Sequence, residues 1–234
     1  MYMDWTYIIF VLPAILFSMW ASAKVNSTFN KYSKVHNTRG LTADAAARYI
    51  LDRNGLQSIR IERISGQLTD HYDPANNVIR LSDSVYGNTS TAAIGVACHE
   101  TGHAIQHAVG YKPVKIRTAI VPITNFGSRL SVPLILAGLL LASFSNVFIM
   151  LAYFGVLCFS LCVVFQLVTL PTEFDASKRA LVCIEENGLL SGDELQGAKK
   201  TLSAAAMTYV AALAVSIMQL LRLALIVGGS DRRN

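Results

Sequence analysis

Two histidines four residues apart, with a glutamate beside the first, occupy the middle of this sequence as His99-Glu100-Thr101-Gly102-His103. On a helix that spacing brings both imidazoles out of one face, one turn apart. Two nitrogens so placed can reach one tetrahedral zinc ion at about 2.0–2.1 Å. Glu100 projects about 100° around the helix from His99. It therefore stands beside such an ion without ligating it, where it can take a proton from the water that the ion activates. A catalytic zinc of this type takes three protein ligands and keeps its fourth position open.

The third ligand is not given by the motif alone. The metzincin pattern needs glycine where Gln106 stands and histidine where Val109 stands, so that class is excluded. His107 lies one turn further along the same face, too far along the axis to converge with the other two on one ion. His107 thus reads as a supporting or partly buried residue more than as a ligand, and the gluzincin solution takes a glutamate from a later helix, a role that Glu173 fits. Its alternative role, just after Pro171, is to favour a helix N-terminus through the macrodipole. Asp175, Ser177 and Arg179 follow closely. His71, Tyr72 and Arg179 are the candidates for holding an oxyanion.

The elements that must position these residues are read from composition and periodicity. The chain has 234 residues, is 53% hydrophobic and only 15% charged, where a soluble domain carries about 25% charged residues. That balance predicts a mainly α membrane protein with a small α+β catalytic unit and about four hydrophobic segments. The net charge of +5 is spread beside apolar runs rather than gathered into a stripe with aromatics, which speaks against a nucleic-acid partner. Cys98, Cys158, Cys162 and Cys183 form no CxxC pair and read as reduced thiols.

Residues 1–23 read as an N-terminal anchor, since a secretory signal would open with positive charge and only Asp4 precedes the run. Residues 24–115 form the soluble part, with a helix over 41–54 capped by Thr42 and strands over 59–68 and 77–82. The turn-rich stretch Tyr72–Asn77 joins those strands, and in the region of Val78–Leu81 the second strand is either an exposed edge on which a substrate pairs or an interior strand without that duty. A helix over 90–109 then carries the histidines. Residues 116–170 form a membrane hairpin from apolar runs at 130–144 and 147–170. Its even crossing count returns the chain to the starting side, where a helix over 171–200, opened by Pro171, carries Glu173. Residues 201–234 form a last apolar segment interrupted by Arg222. Lys24, Lys31, Lys34 and Arg39 put the first flank on the cytoplasmic side, although Arg232 and Arg233 at the far end sit awkwardly with a fourth crossing.

Residues 95–107, GVACHETGHAIQH, with Tyr72-Asp73-Pro74 and Leu81-Ser82, resemble the membrane zinc metallopeptidases of the YugP-like family. The stretch LPTEFDASKRA at 170–180 resembles that family's second motif, and the similarity runs from about residue 30 to 200. The resemblance implies a zincin-like gluzincin, related in plan to HtpX-like membrane proteases. It implies one zinc ion on His99, His103 and Glu173, with Glu100 as general base. Protein or peptide substrates, membrane proteins among them, and a place in a bacterial cell membrane with the catalytic part cytoplasmic go with that reading. HtpX-like enzymes place an aspartate four residues after the ligand glutamate to steady a metal histidine. Ser177 stands there in this chain, so that duty can pass to Asp175.

Three other readings compete. A site-2-type intramembrane protease would bury the motif in a spanning helix and place an aspartate in a later span, yet no acidic residue interrupts 118–170. A metal transporter would need polar residues along several spans. A non-catalytic, zinc-stabilised membrane adaptor would close the metal with a fourth protein ligand.

Overall fold

The computed structural model describes residues 5–231. Asp4, which bears on the anchor reading, and Arg232 and Arg233, which bear on the orientation reading, lie outside them. Six α-helices and three strands make up the described chain: α1 (Leu12–Tyr32, entered through a π-helical turn at Tyr7–Val11), α2 (Ala43–Arg53), β1 (Arg60–Ile64), β2 (His71–Asp73), β3 (Val78–Ser82), α3 (Thr91–Ala108), α4 (Lys112–Leu141), α5 (Ile149–Glu186) and α6 (Gly192–Asp231). The protein is mainly α with a small mixed sheet. Four helical stretches, Tyr7–Tyr32, Lys112–Leu141, Asn146–Glu186 and Gly192–Ser230, are long and apolar enough to cross a membrane.

The chain divides into two compact units. Among the described residues one gathers 5–20, Ile116–Leu170 and 209–231. Within it α4 and α5 pack as a hairpin through small residues. A Cβ built on Gly155 would come within 2.8 Å of the Ser131 carbonyl oxygen, and one on Gly138 would run into the backbone of Ala152. Lipid tails are as apolar as leucine, so such helices are held by close backbone approach, which glycine permits.

The other unit comprises Ala21–Lys115 and Pro171–Thr208. Its core is formed by Ile50 and Leu51 of α2, Ile79 and Leu81 of β3, Ile94 and Ala97 of α3 and Ile184 of α5, all fully buried. Helix starts follow local chemistry: the Thr42 and Ser90 side chains accept hydrogen bonds from Ala45 N–H and Ala93 N–H, filling donors that a first turn leaves orphaned. Gly110, with φ +65°, supplies the left-handed residue that ends α3's run.

The sheet departs from the sequence expectation. A short strand, β2, lies where a turn is expected, and it pairs antiparallel with β3 in the register Tyr72↔Ile79, while β1 pairs parallel with β3. The order β1-β3-β2 makes β3 the central strand, so the region Val78–Leu81 presents no exposed edge. The turn chemistry of Asp73, which accepts from Ala75 N–H and Asn76 N–H, starts one residue after β2's central Tyr72 and masks the strand in sequence.

The helices are longer than their apolar cores. Helix α4 begins at Lys112, well before Leu130, and runs unbroken through Arg129, and α5 continues through Pro171 to Glu186. Glu173 therefore sits in mid-helix and does not cap an N-terminus.

Gly155→Leu is expected to destabilise the α4–α5 hairpin by about 1–3 kcal/mol through overpacking, read as a lower midpoint in detergent unfolding followed by circular dichroism.

Candidate metal centre

Helix α3 presents His99 and His103 from one face, their rings 4.7 Å apart between centroids. Glu173 approaches from α5. Its Oε2 lies 3.3 Å from His99 Nε2 and 3.3 Å from His103 Nε2. The three ligand atoms lie within 4.8 Å of one another, and Glu173 is 2% exposed. Tetrahedral ligands at about 2.0–2.1 Å from zinc stand about 3.3 Å apart, so the separations of Glu173 from both nitrogens are the edges of such a tetrahedron. The residues fit the ion. His107 is not in the group; its ring instead meets Tyr72 edge-on at 5.5 Å.

Glycine makes this approach possible. A Cβ on Gly102, between the two histidines, would run into the carbonyl of Ala176. On the same face of α3 one heptad earlier, Gly95 would place a Cβ 3.2 Å from Ala198 of α6. Two small positions thus let α5 and α6 lie against the motif helix at backbone distance.

The remaining ring nitrogens are held as well. His99 Nδ1 lies 3.0 Å from Ser177 Oγ, and His103 Nδ1 lies 3.1 Å from Gln106 Oε1. Gln106 is wholly buried, and its Nε2 donates to the Thr172 carbonyl and to Asp175 Oδ2, both at 2.8 Å. Those two acceptors fix which end of the amide faces His103. The oxygen must face the ring, so Nδ1 carries the proton and Nε2 keeps its lone pair for a metal. Arg179 holds Asp175 in turn, donating from Nε at 2.6 Å while lying over the Tyr111 ring. Ser177 thus touches a metal-facing histidine directly, and Asp175 reaches the other through Gln106.

Electrostatics follow this arrangement. Burial works against charge on Glu173, but the two imidazoles facing it, His103 and His99, hold its carboxyl well below the usual range. Burial lowers His103 while the facing Glu173 carboxylate raises it, and the balance is upward.

Glu100 is buried, and its Oε2 accepts a 2.9 Å hydrogen bond from the main-chain N–H of Tyr72. The outer side of β2 is therefore turned toward Glu100. Asp70 lies nearby, bonded to the N–H and hydroxyl of Ser82. Burial, with a contribution from the charge of Glu100, pushes its carboxyl up against the pull of Ser82. Of the oxyanion candidates, Arg179 is engaged with Asp175, and His71 Nδ1 lies 2.9 Å from the Thr69 carbonyl. Sequence reasoning missed Gln106, whose role appears only once α5 is packed against α3. The polar residue one turn beyond His103 on an otherwise apolar stretch was the available signal.

Comparisons with known proteins identify the family. Residues 7–228 match the model of a family described as "Putative neutral zinc metallopeptidase". The chain is 46% identical over 220 residues to the "Putative membrane protease YugP" of Bacillus subtilis (strain 168), covering 94% of this chain and 96% of that protein. No solved structure matches the chain. The family and the relative support a zinc protease of the membrane.

Gln106→Leu is expected to weaken zinc binding about 10- to 100-fold, measured by competition with a chromophoric chelator. Gly102→Ala should separate α5 from α3, costing about 1–3 kcal/mol in thermal stability and lowering the zinc content of the purified protein.

Proposed function

We propose, from the premise that the chain belongs to this family of neutral zinc metallopeptidases, that it hydrolyses peptide bonds as an endopeptidase on one zinc ion held by His99, His103 and Glu173. The observation that carries the reading is Glu173 Oε2 standing 3.3 Å from both histidine Nε2 atoms. When bound, zinc supplies a water of pKa near 7 and polarises the carbonyl under attack.

The chain's own residues do the rest. Glu100, next to His99 and fixed by the Tyr72 N–H, accepts the proton of the attacking water and passes it to the departing amine. Gln106 keeps His103 in the tautomer whose Nε2 faces the ion, and Ser177 steadies the His99 ring at Nδ1. The site lies on the cytoplasmic side in this reading, from the Lys24, Lys31, Lys34 and Arg39 flank. Substrates are proteins or peptides, membrane proteins among them.

The alternatives fit less well. A non-catalytic adaptor would close its metal with four protein ligands, whereas the described residues offer a group of three. A site-2-type protease would carry its motif in a spanning helix; α3 packs in the core with α2 and the sheet. It is not among the four helices apolar enough to span.

Glu100→Gln should retain stoichiometric zinc and lose proteolysis by at least about 100-fold, at the lower end of what a general base contributes. Glu173→Ala should lose both, by metal analysis and a casein-cleavage assay in detergent. Undiminished cleavage by Glu100→Gln would refute the base, and full zinc in Glu173→Ala would refute the ligand.

A further inference from the structure

Helix α4 carries a positive charge that the described residues leave unmet. The side of α4 packed on α5 is a buried row, Gly127, Ser131, Ile135 and Gly138. Arg129 lies two residues from both Gly127 and Ser131, about 200° around the helix, and is exposed. Along the axis it stands midway between Arg117 and Leu141, about 18 Å from each at 1.5 Å per residue. A hydrocarbon core of about 30 Å centred on this stretch places Arg129 near mid-depth, farther from either surface than its side chain extends. A charge there costs about 2.5–3.5 kcal/mol on insertion scales, and such residues face protein or water rather than lipid.

Two further polar groups share the face. Pro133 lacks the N–H that would bond the carbonyl of Arg129 four residues earlier, so the same residue also presents an acceptor deprived of its helical donor. Asn125, one turn before, is exposed. Among the described residues neither the Arg129 guanidinium nor the Asn125 side-chain amide has a hydrogen bond or ion pair. Hydrocarbon satisfies none of these groups.

We propose that this face of α4 docks a transmembrane helix of another polypeptide carrying a carboxylate near its middle, which pairs with Arg129 while Asn125 bonds beside it. A second copy of this chain does not meet the need. The apolar runs at 5–32, 116–172 and 203–230 hold no aspartate or glutamate, and a symmetric contact through this face would set two arginines together. The inference does not rest on the zinc reading.

The test uses the full chain in phosphatidylcholine nanodiscs and synthetic Leu-rich helices of about 20 residues. One carries a single central Asp, the other Leu at that position. Association is followed by energy transfer between donor-labelled protein and acceptor-labelled peptide. The Asp helix should bind at least tenfold more tightly than the Leu helix. Arg129→Leu should remove that difference while leaving zinc content unchanged, and Arg129→Lys should keep part of it. Asn125→Leu, as an independent variant, should weaken the Asp helix severalfold. Equal binding of the two helices to the native protein would overturn the proposal. So would self-association of the native chain that Arg129→Leu abolishes, which would assign the face to a second copy.

Discussion

The backbone contact between α3 and α5 is the constraint on which the metal centre depends. A helix with two histidines one turn apart offers only an edge of a coordination tetrahedron. The third corner has to come from elsewhere, at a distance fixed to a few tenths of an ångström. Gly102 removes the one side chain that would keep the Ala176 backbone away, and Glu173, three residues before Ala176 on the same helix, then meets both imidazoles. The cost of glycine within a helix, about 1 kcal/mol relative to alanine, is offset by the close contact it allows.

Around that contact the polar groups form a continuous set of supports. Asp175 and the Thr172 carbonyl orient Gln106, Gln106 orients His103, and Ser177 meets His99. Buried polar groups of this kind are costly unless every member is paired, and Gln106 uses both ends of its amide. Apart from Gln106 itself, which belongs to α3, the supports come from α5, the helix that also carries Glu173. One element therefore brings the third ligand together with the groups that orient Gln106 and meet His99.

Much of this was legible in the residues themselves. The spacing of His99 and His103 defines a helix face, and Thr42 and Ser90 mark helix starts by the chemistry they perform in the structure. The nomination of Glu173 followed from the need for a third ligand beyond a membrane hairpin, and the structure brings it to the histidines. What stayed hidden was set by tertiary packing. Strand β2 is three residues long and is stabilised by β3 rather than by its own pattern. The unbroken course of α5 through Pro171 overrides the local preference for a helix start there. Gln106 looks like a surface amide until α5 covers it. The central place of β3 depends on a parallel partner, β1, which no adjacent turn announces.

Two of the contacts that define the site are made by main chain: the Tyr72 N–H on Glu100 and the Thr172 carbonyl on Gln106. A main-chain partner survives almost any exchange of the residue that bears it. At position 72 only proline deletes the donor outright. A systematic substitution scan would therefore register the packing of the Tyr72 and Thr172 side chains while their backbones go on holding Glu100 and Gln106 in place. The outcome at such positions measures the replaceability of a side chain and carries no information about what the main chain does there.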